Sequence, residues 1–388
     1  MRQEDDVIAE AEDLVSIRST ASSGERELVE SLRDRFESSP VAFDIEIQGI
    51  DGEDPARQNI IARAGDPARG TLLLTGHLDV VPAVESDWSV PPFALTRSED
   101  RLIGRGIADM KGSLASMLLA AEEYLSTAAT PGEVILAFVA KEETGGDGTR
   151  ELVRRGIDAD AAILGEPTNL TIGRANKGAV RYDVVFEGES AHSGRPDRGI
   201  NAISAVPDLL KELAAFDTDL DAYTHDLLCP ASTVTVTELS AGTAPNIVPN
   251  QATVTFDWRF FPDMPTDPEW YDAQIRDIVD DLPHDDVAVS IDRWNFKPAA
   301  GIESGATIVS AIEAALGSVE RDRRHTGFNA GTDAGYLVSA GIPTVLFGPG
   351  SIENEAHTVD ESVSAEELRL SRDVYREAIS WFFGNQDP

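Results

Sequence analysis

His77 in TLLLTGHLDVVP, Asp109 in GRGIADMKG, the Glu142–Glu143 doublet in EVILAFVAKEETGG, Glu166 in AAILGEPT and His357 in NEAHTVDE sit just past separate apolar runs. Imidazole and carboxylate are the ligand types that hold a hydrolytic metal pair, with zinc the default ion. Each segment alone is weak, since a single His or Glu is usually a solvated surface group. As an ordered set they predict a dinuclear metal site.

His77 and Asp79 stand two residues apart. A ligating imidazole needs an acceptor on its second nitrogen, often a carboxylate. Strand alternation turns residues i and i+2 to one side, so Asp79 is expected to orient His77. Without the other segments this His-x-Asp would read as a surface pair. Asp109 carries two acceptor oxygens and can bridge two cations; before SLASMLLA it would equally suit a helix N-terminus. Glu142 and Glu143 are neighbours after an apolar strand and point in different directions. One can ligate while the other faces substrate, and the residues themselves leave the two roles interchangeable. His225, His284 and His325 lack such context and receive no role.

These groups need elements to position them. Val7, Ile8, Ala11, Leu14 and Val15 repeat at helical spacing, and a second helix is expected after Ser22, with Glu25 completing a capping box. NIIARA, TLLLTG, EVILAFVA, AAILG and PTVLFG read as strands and SLASMLLAAEEYL as a helix. Continuous apolar runs separated by helices predict an α/β domain with a mostly parallel sheet covered by helices. In such sheets ligands bind beyond the carboxyl ends of strands. His77, Glu142–Glu143, Glu166 and the loop carrying His357 each follow a strand, so four strand ends are expected on one rim.

Between about Lys177 and Trp294 the rhythm changes. AVRYDVVFEG, STVTVTEL, ATVTFDWRF and DVAVSIDRW read as strands, and INAISAVPDLLKELAAF and DPEWYDAQIRDIVDDL as helices. That order is the ferredoxin-like βαββαβ unit. The expected organisation is a catalytic domain over 1–176 and 295–388, interrupted by an inserted domain over 177–294. No repeat or low-complexity tract appears.

At 388 residues two domains are the natural expectation. Apolar content of 41% is ordinary, and no stretch is long enough to span a bilayer. The acidic start MRQEDDVIAE lacks the basic character of a signal peptide, and the single Cys229 permits no internal disulfide. A cytoplasmic protein is expected. The chain has 69 Asp+Glu against 32 Lys+Arg, a net charge of −37, and five Lys (Lys111, Lys141, Lys177, Lys211, Lys297). Self-repulsion of this size opposes a compact state unless salt screens it. An acidic, Lys-poor chain resembles haloarchaeal proteins, so a halophilic source is expected. Nucleic acid and anionic membranes are excluded as partners by the same charge.

On the metal-type segments, in this order and from about His77 to beyond His357, the chain resembles a family of dinuclear zinc deacylases and carboxypeptidases. That family includes acetylornithine deacetylase, succinyl-diaminopimelate desuccinylase and glutamate carboxypeptidase. The resemblance implies that Asp109 bridges two ions, one also held by His77 and Glu166, the other by Glu143 and His357. It makes Glu142 the general base. The inserted domain becomes a lid and dimerisation domain, in which His192 of ESAHSGRPDRGINAI stabilises the oxyanion. As part of the insert, His192 needs domain closure or a second subunit to reach the metals. Arg259 in TFDWRFFP would grip a substrate carboxylate, which suits its forked geometry. Asn246, Gly331 and Thr332, the last two in the GTD turn with Asp333, would be further substrate contacts.

The implied protein is a homodimeric amidohydrolase with two divalent ions, zinc by default and cobalt or manganese able to substitute. Its substrate would be a small, carboxylate-bearing N-acyl amino acid. GEPTNL, ANKG and FGPGS…AHTVDE stand closer to the acetylornithine deacetylase branch, while VVPAVESDWSVPPF is shared with the desuccinylase. Pocket contacts rather than metal ligands choose the substrate, however. A dipeptidase or carboxypeptidase on the same site is one alternative. A catalytically silent binding relative is another, and it would require a lost ligand or base, which this sequence does not show.

Overall fold

The computed structural model describes residues 6–229, 231–283 and 286–385. They form two compact units. The larger takes the chain up to Ala175, Ala300–Phe328 and the segment from Thr332; the smaller takes Asn176–Ala299 and Asn329–Gly331.

The larger unit is built on a nine-stranded sheet, counted among the described residues. At its centre lie Gly132–Val139, Asp66–His77, Ala161–Leu164 and Thr344–Leu346, adjacent in that order and mutually parallel. Alternation along these strands divides one apolar run between two cores. Leu72, Leu74, Val134, Leu136, Phe138 and Ile163 enter the core beneath helices Asp6–Ser16, Gly112–Thr127, Thr307–Ser318 and Ala365–Gly384. Leu73, Ile135, Ala137, Val139 and Ala162 face the opposite way, onto Leu152 of helix Asp147–Arg154 and Leu337 of helix Ala334–Ser339. Both faces are thus covered, which is why the runs are continuous rather than alternating. Register sets His77 opposite Val139, and Thr75 opposite Leu164. The four parallel strands therefore end on one side, and the loops bearing His77, Glu142–Glu143, Glu166 and His357 leave from that rim.

The N-terminal helix forms as its periodicity predicts, over Asp6–Ser16. The second starts at Arg26, not after Ser22, and no capping box forms. Ser23 instead closes a turn, its Oγ accepting from the Thr20 amide at 2.8 Å. Glu25 is fully buried, and its Oε1 accepts from Arg57 Nη1 at 2.6 Å. Burial outweighs Arg57 and pushes the Glu25 carboxyl up to about 7. A tertiary ion pair has taken the carboxylate that a local cap would have used.

The smaller unit carries a four-stranded sheet in the order Thr233–Ala241, Gln251–Phe260, Gly178–Glu187, Ala288–Lys297, with every pair antiparallel. With helices Val206–Leu220 and Pro268–Asp280 between strands, this is the split βαββαβ topology. Tyr182, Phe186, Phe256, Trp258 and Tyr271 are fully buried and supply much of its core. INAISAV does not open as α-helix: Ala202–Ala205 is a 3-10 turn, capped where Asn201 accepts from the Ile203 amide, and the α-helix begins at Val206. The last strand runs past Trp294 to Lys297.

Candidate metal centre

The Asp109 carboxylate lies between two imidazoles. His77 Nε2 is 2.9 Å from Asp109 Oδ1, and His357 Nε2 is 3.2 Å from Asp109 Oδ2 and 3.0 Å from Glu143 Oε1. Ligand atoms of His77, Asp109 and Glu143 all lie within 4.8 Å of one another. One oxygen toward each imidazole is the arrangement by which a carboxylate bridges two centres.

Each ligand is delivered by identifiable backbone. His77 is the last residue of its strand, and its amide meets Met110 Sδ. Asp109 does not cap a helix. It sits in the tight turn Ile107–Lys111 with extended φ −128° and ψ 89°, before helix Gly112–Thr127. Gly106 opens that turn at φ +86°, and a Cβ there would lie 2.6 Å from Val80 Cγ1, so glycine is required twice over. Lys111 is completely buried, and its Nζ donates to the Leu14 and Ile17 carbonyls at 3.0 and 2.7 Å. It thereby answers open acceptors at the end of the first helix and anchors the Asp109 turn to it. His357 is held at φ +59° in the loop after Thr344–Leu346.

The orientation of His77 corrects one expectation. Its Nδ1 is 2.8 Å from the Asp79 backbone carbonyl, whereas the Asp79 carboxylate is 3.8 Å away. That carboxylate accepts instead from the Glu142 amide at Oδ1 and the Glu143 amide at Oδ2, both at 3.0 Å. The chain turns after His77, so i and i+2 no longer share a strand face. The carbonyl makes Nδ1 the donor, so in the neutral ring Nε2 would carry the lone pair. Asp79 thus orients one candidate ligand with its backbone and the glutamate doublet with its side chain.

The electrostatics describe a cluster short of positive charge. Burial opposes charging His77, but the hydrogen bond and charge of Asp109 prevail and raise its pKa well above the ordinary value. Hydrogen bonds to Asp109 and Glu143 push His357 up to about 10. Burial would raise Asp109, yet its two imidazole partners hold it well below the usual carboxylate range. Burial pushes Glu143 up to about 7, against the His357 hydrogen bond. Imidazolium protons here do what a cation would do. Glu166 has less relief: only the His77 charge favours its ionised form, and its buried Oε1 lacks a hydrogen-bond partner among the described residues. Burial raises its pKa far above normal, and the charges of Asp109 and Glu142 push the same way. Two divalent ions fit this donor set, since they would satisfy Glu166 and free both histidines to bind as neutral rings.

The other predicted residues divide between the two units. His192 is exposed in the smaller unit, on a segment bridged to Asn246–Val248 by the Ser193 amide donating to the Asn246 carbonyl at 3.0 Å. His192 Nδ1 accepts from the Gly194 amide at 3.0 Å. Arg259 spends Nε and Nη2 on Asp257, at 2.5 and 3.1 Å. Gly331 belongs to the smaller unit and Thr332 to the larger. Thr332 is buried, its hydroxyl accepting from the Ala334 amide at 3.2 Å. Asp333 accepts from Thr149 at 2.6 Å. His225 accepts from the Leu227 amide and His325 is engaged by Arg174 and Glu313, while His284 lies outside the described residues. Arg105 and Glu361 went unnoticed in the sequence although both are buried beside Asp109. The available signal was a charge inside each of the motifs GRG and HTVDE.

Among the described residues no helix is long and apolar enough to cross a membrane. Residues 73–381 match the family described as peptidase family M20/M25/M40. The chain is 31% identical over 357 residues to an acetylornithine deacetylase of Salmonella typhimurium, covering 89% of this chain and 88% of that protein. To the acetylornithine deacetylase of Proteus mirabilis it is 32% identical over 355 residues, covering 88% and 87%. A metallo-carboxypeptidase of the M20 family from Sulfolobus solfataricus shares the fold, with a TM-score of 0.81 at 19% identity over 99% of this chain and 100% of that one. A tripeptidase from Staphylococcus aureus does so with a TM-score of 0.79 at 19% identity, covering 99% of each chain. On the extent of the family match and the identity to these deacetylases, the chain belongs to peptidase family M20/M25/M40 and is a hydrolytic enzyme.

Proposed function

We propose that this enzyme is a metal-dependent deacylase, cleaving the amide bond of a small N-acyl amino acid of the N-acetylornithine or N-succinyl-diaminopimelate type. The observation that carries the reading is the Asp109 carboxylate, with one oxygen on His77 and the other on His357, beside Glu143 and the unsatisfied Glu166. In this reading His77, Asp109 and Glu166 would hold one ion, and Asp109, Glu143 and His357 the other. The chemistry such a pair supplies is polarisation of the scissile carbonyl and acidification of water. Zinc is the default, with cobalt or manganese as substitutes.

Glu142 is the general base. It is buried, its amide pinned by Asp79, and it stands beside the cluster whose Glu166 feels its charge. Glu142 accepts a proton as the water oxygen bonds to the acyl carbon. It returns that proton to nitrogen as the C–N bond breaks, leaving a carboxylic acid and an amine. Arg259 binds the substrate carboxylate, aided by Asn246 and the Gly331–Thr332 turn.

His192 steadies the oxyanion. Because Nδ1 accepts from the Gly194 amide, the neutral ring carries its proton on Nε2 and can donate there. In the proposed homodimer, associating through the smaller unit, this donor serves the partner's site. Each single variant, His192→Ala or Glu142→Gln, is expected to lose about 10²-fold or more in turnover. Mixed dimers should regain activity, because one of the two sites then has both groups. Mixing that restores nothing would rule out sharing between subunits.

We also propose a salt-rich cytoplasm as its setting, from the net charge of −37 and the single cysteine. The overall test is turnover in molar KCl after chelation and reloading with Zn²⁺, Co²⁺ or Mn²⁺. N-acetylornithine, N-succinyl-diaminopimelate and simple dipeptides would be compared. Metal-dependent release of acetate or succinate is the expected outcome, whereas turnover confined to dipeptides would replace the deacylase with a peptidase.

A further inference from the structure

We propose that Glu361, clamped by Arg105, is the positioning residue that holds Asp109 in its bridging pose and locks the Asp109 turn to the His357 loop. Glu361 is 1% exposed and uses both oxygens. Oε1 accepts from the amides of Ala108 and Asp109 at 2.9 and 3.1 Å, and Oε2 accepts from Arg105 Nη1 at 2.6 Å. Its backbone carbonyl accepts from the Gly104 amide at 2.9 Å. Arg105 is itself buried, reaches the Thr358 carbonyl through Nη2 at 3.2 Å, and lies 5.0 Å from the Trp88 ring centre. One buried ion pair therefore ties the turn bearing Asp109 to the residues on either side of the loop that follows His357.

A buried negative charge beside Asp109 works against a second carboxylate there, and burial with the Asp109 charge raises the Glu361 carboxyl. The packing tolerates this because Arg105 supplies the counter-charge and the two amides of the turn have no helix to satisfy them. Glutamine cannot replace it. It has one acceptor oxygen, so its amide group must face either the Arg105 guanidinium or the two backbone N–H groups. The Asp109 turn would then lose a fixed pose while every metal ligand remained in the chain.

The inference rests on the metal reading above and is tested by metal binding itself. Zn²⁺ affinity would be measured by competition with a chromophoric chelator, with the Co²⁺ absorption band as a second readout. Folding would be checked by circular dichroism in the same high-salt buffer. Glu361→Gln is expected to weaken Zn²⁺ binding by about 10–100-fold and to alter the Co²⁺ band. Arg105→Lys, which keeps the charge but not the fork, should give a smaller loss and covers the case in which Glu361→Gln fails to fold. Arg35→Met is the stability control: it removes contacts to Glu10 and Glu122 that involve no residue of the metal cluster. Wild-type Zn²⁺ affinity in both Glu361→Gln and Arg105→Lys would overturn the inference alone. So would an equal weakening in Arg35→Met, which would make the effect one of stability. Failure of the wild-type chain to bind Zn²⁺ would instead overturn the metal reading and this inference with it.

Discussion

Glu142→Gln is expected to keep two metal ions per chain and lose about 10²–10⁴-fold in turnover. The substitution preserves shape, and the residue's amide stays bonded to Asp79 Oδ1. What disappears is the ability to take a proton. Metal content should hold or rise, because Glu142 is one of the negative charges pushing against Glu166, and glutamine removes it. Glu143→Gln makes the comparison sharp. Its Oε1 is 3.0 Å from His357 Nε2 within the cluster, so that variant should shed metal along with activity. Elemental analysis beside steady-state kinetics on the same preparations separates the two glutamates. Full metal content with turnover within about threefold of wild type in Glu142→Gln would remove it as the base. Metal loss in that variant with retention in Glu143→Gln would exchange their roles.

The second large effect is the response to salt. With 69 acidic against 32 Lys+Arg residues the chain has a formal net charge of −37, and folding concentrates that charge. The Debye length shrinks from about 10 Å at 0.1 M salt to about 3 Å at 1 M, so repulsion among surface carboxylates is largely silenced at molar KCl. Asp219, Asp221 and Asp226, exposed near the end of the Val206–Leu220 helix, are typical of the groups concerned. The unfolding midpoint is expected to rise by roughly 10 °C or more between dilute buffer and molar KCl. Sucrose at matched osmolality acts by exclusion rather than screening and should stabilise less. A midpoint that ignores KCl, or that sucrose raises equally, would argue against charge repulsion as the limiting term and against a salt-rich setting.

The family frame and the candidate ligands are legible in the sequence because both are written locally. Leu72–Leu74, Val134–Val139 and Ala161–Leu164 are apolar without interruption, as a strand buried on both faces must be. His77, Glu142–Glu143 and Glu166 then follow such runs, and a polar group at the end of a buried strand has few destinations but a rim. The alternating and helical periods between Lys177 and Trp294 likewise carried the βαββαβ order without a partner to consult.

Other features had no local signature. Glu25 looks like a capping residue until Arg57 is found beside it. Asp79 looks like the carboxylate partner of His77, yet the chain bends after the strand end and gives that task to a backbone carbonyl. Arg105 and Glu361 are separated by 256 positions and join only because the Asp109 turn and the His357 loop meet. The amino-acid order was enough to say which side chains are buried on which face and which acids and imidazoles lie at strand ends, since burial and backbone period act over a few residues. Which carboxylate answers which donor was settled by folding, because a hydrogen bond reaches about 3 Å and its partner is chosen by whatever distant loop the packed core brings within that range.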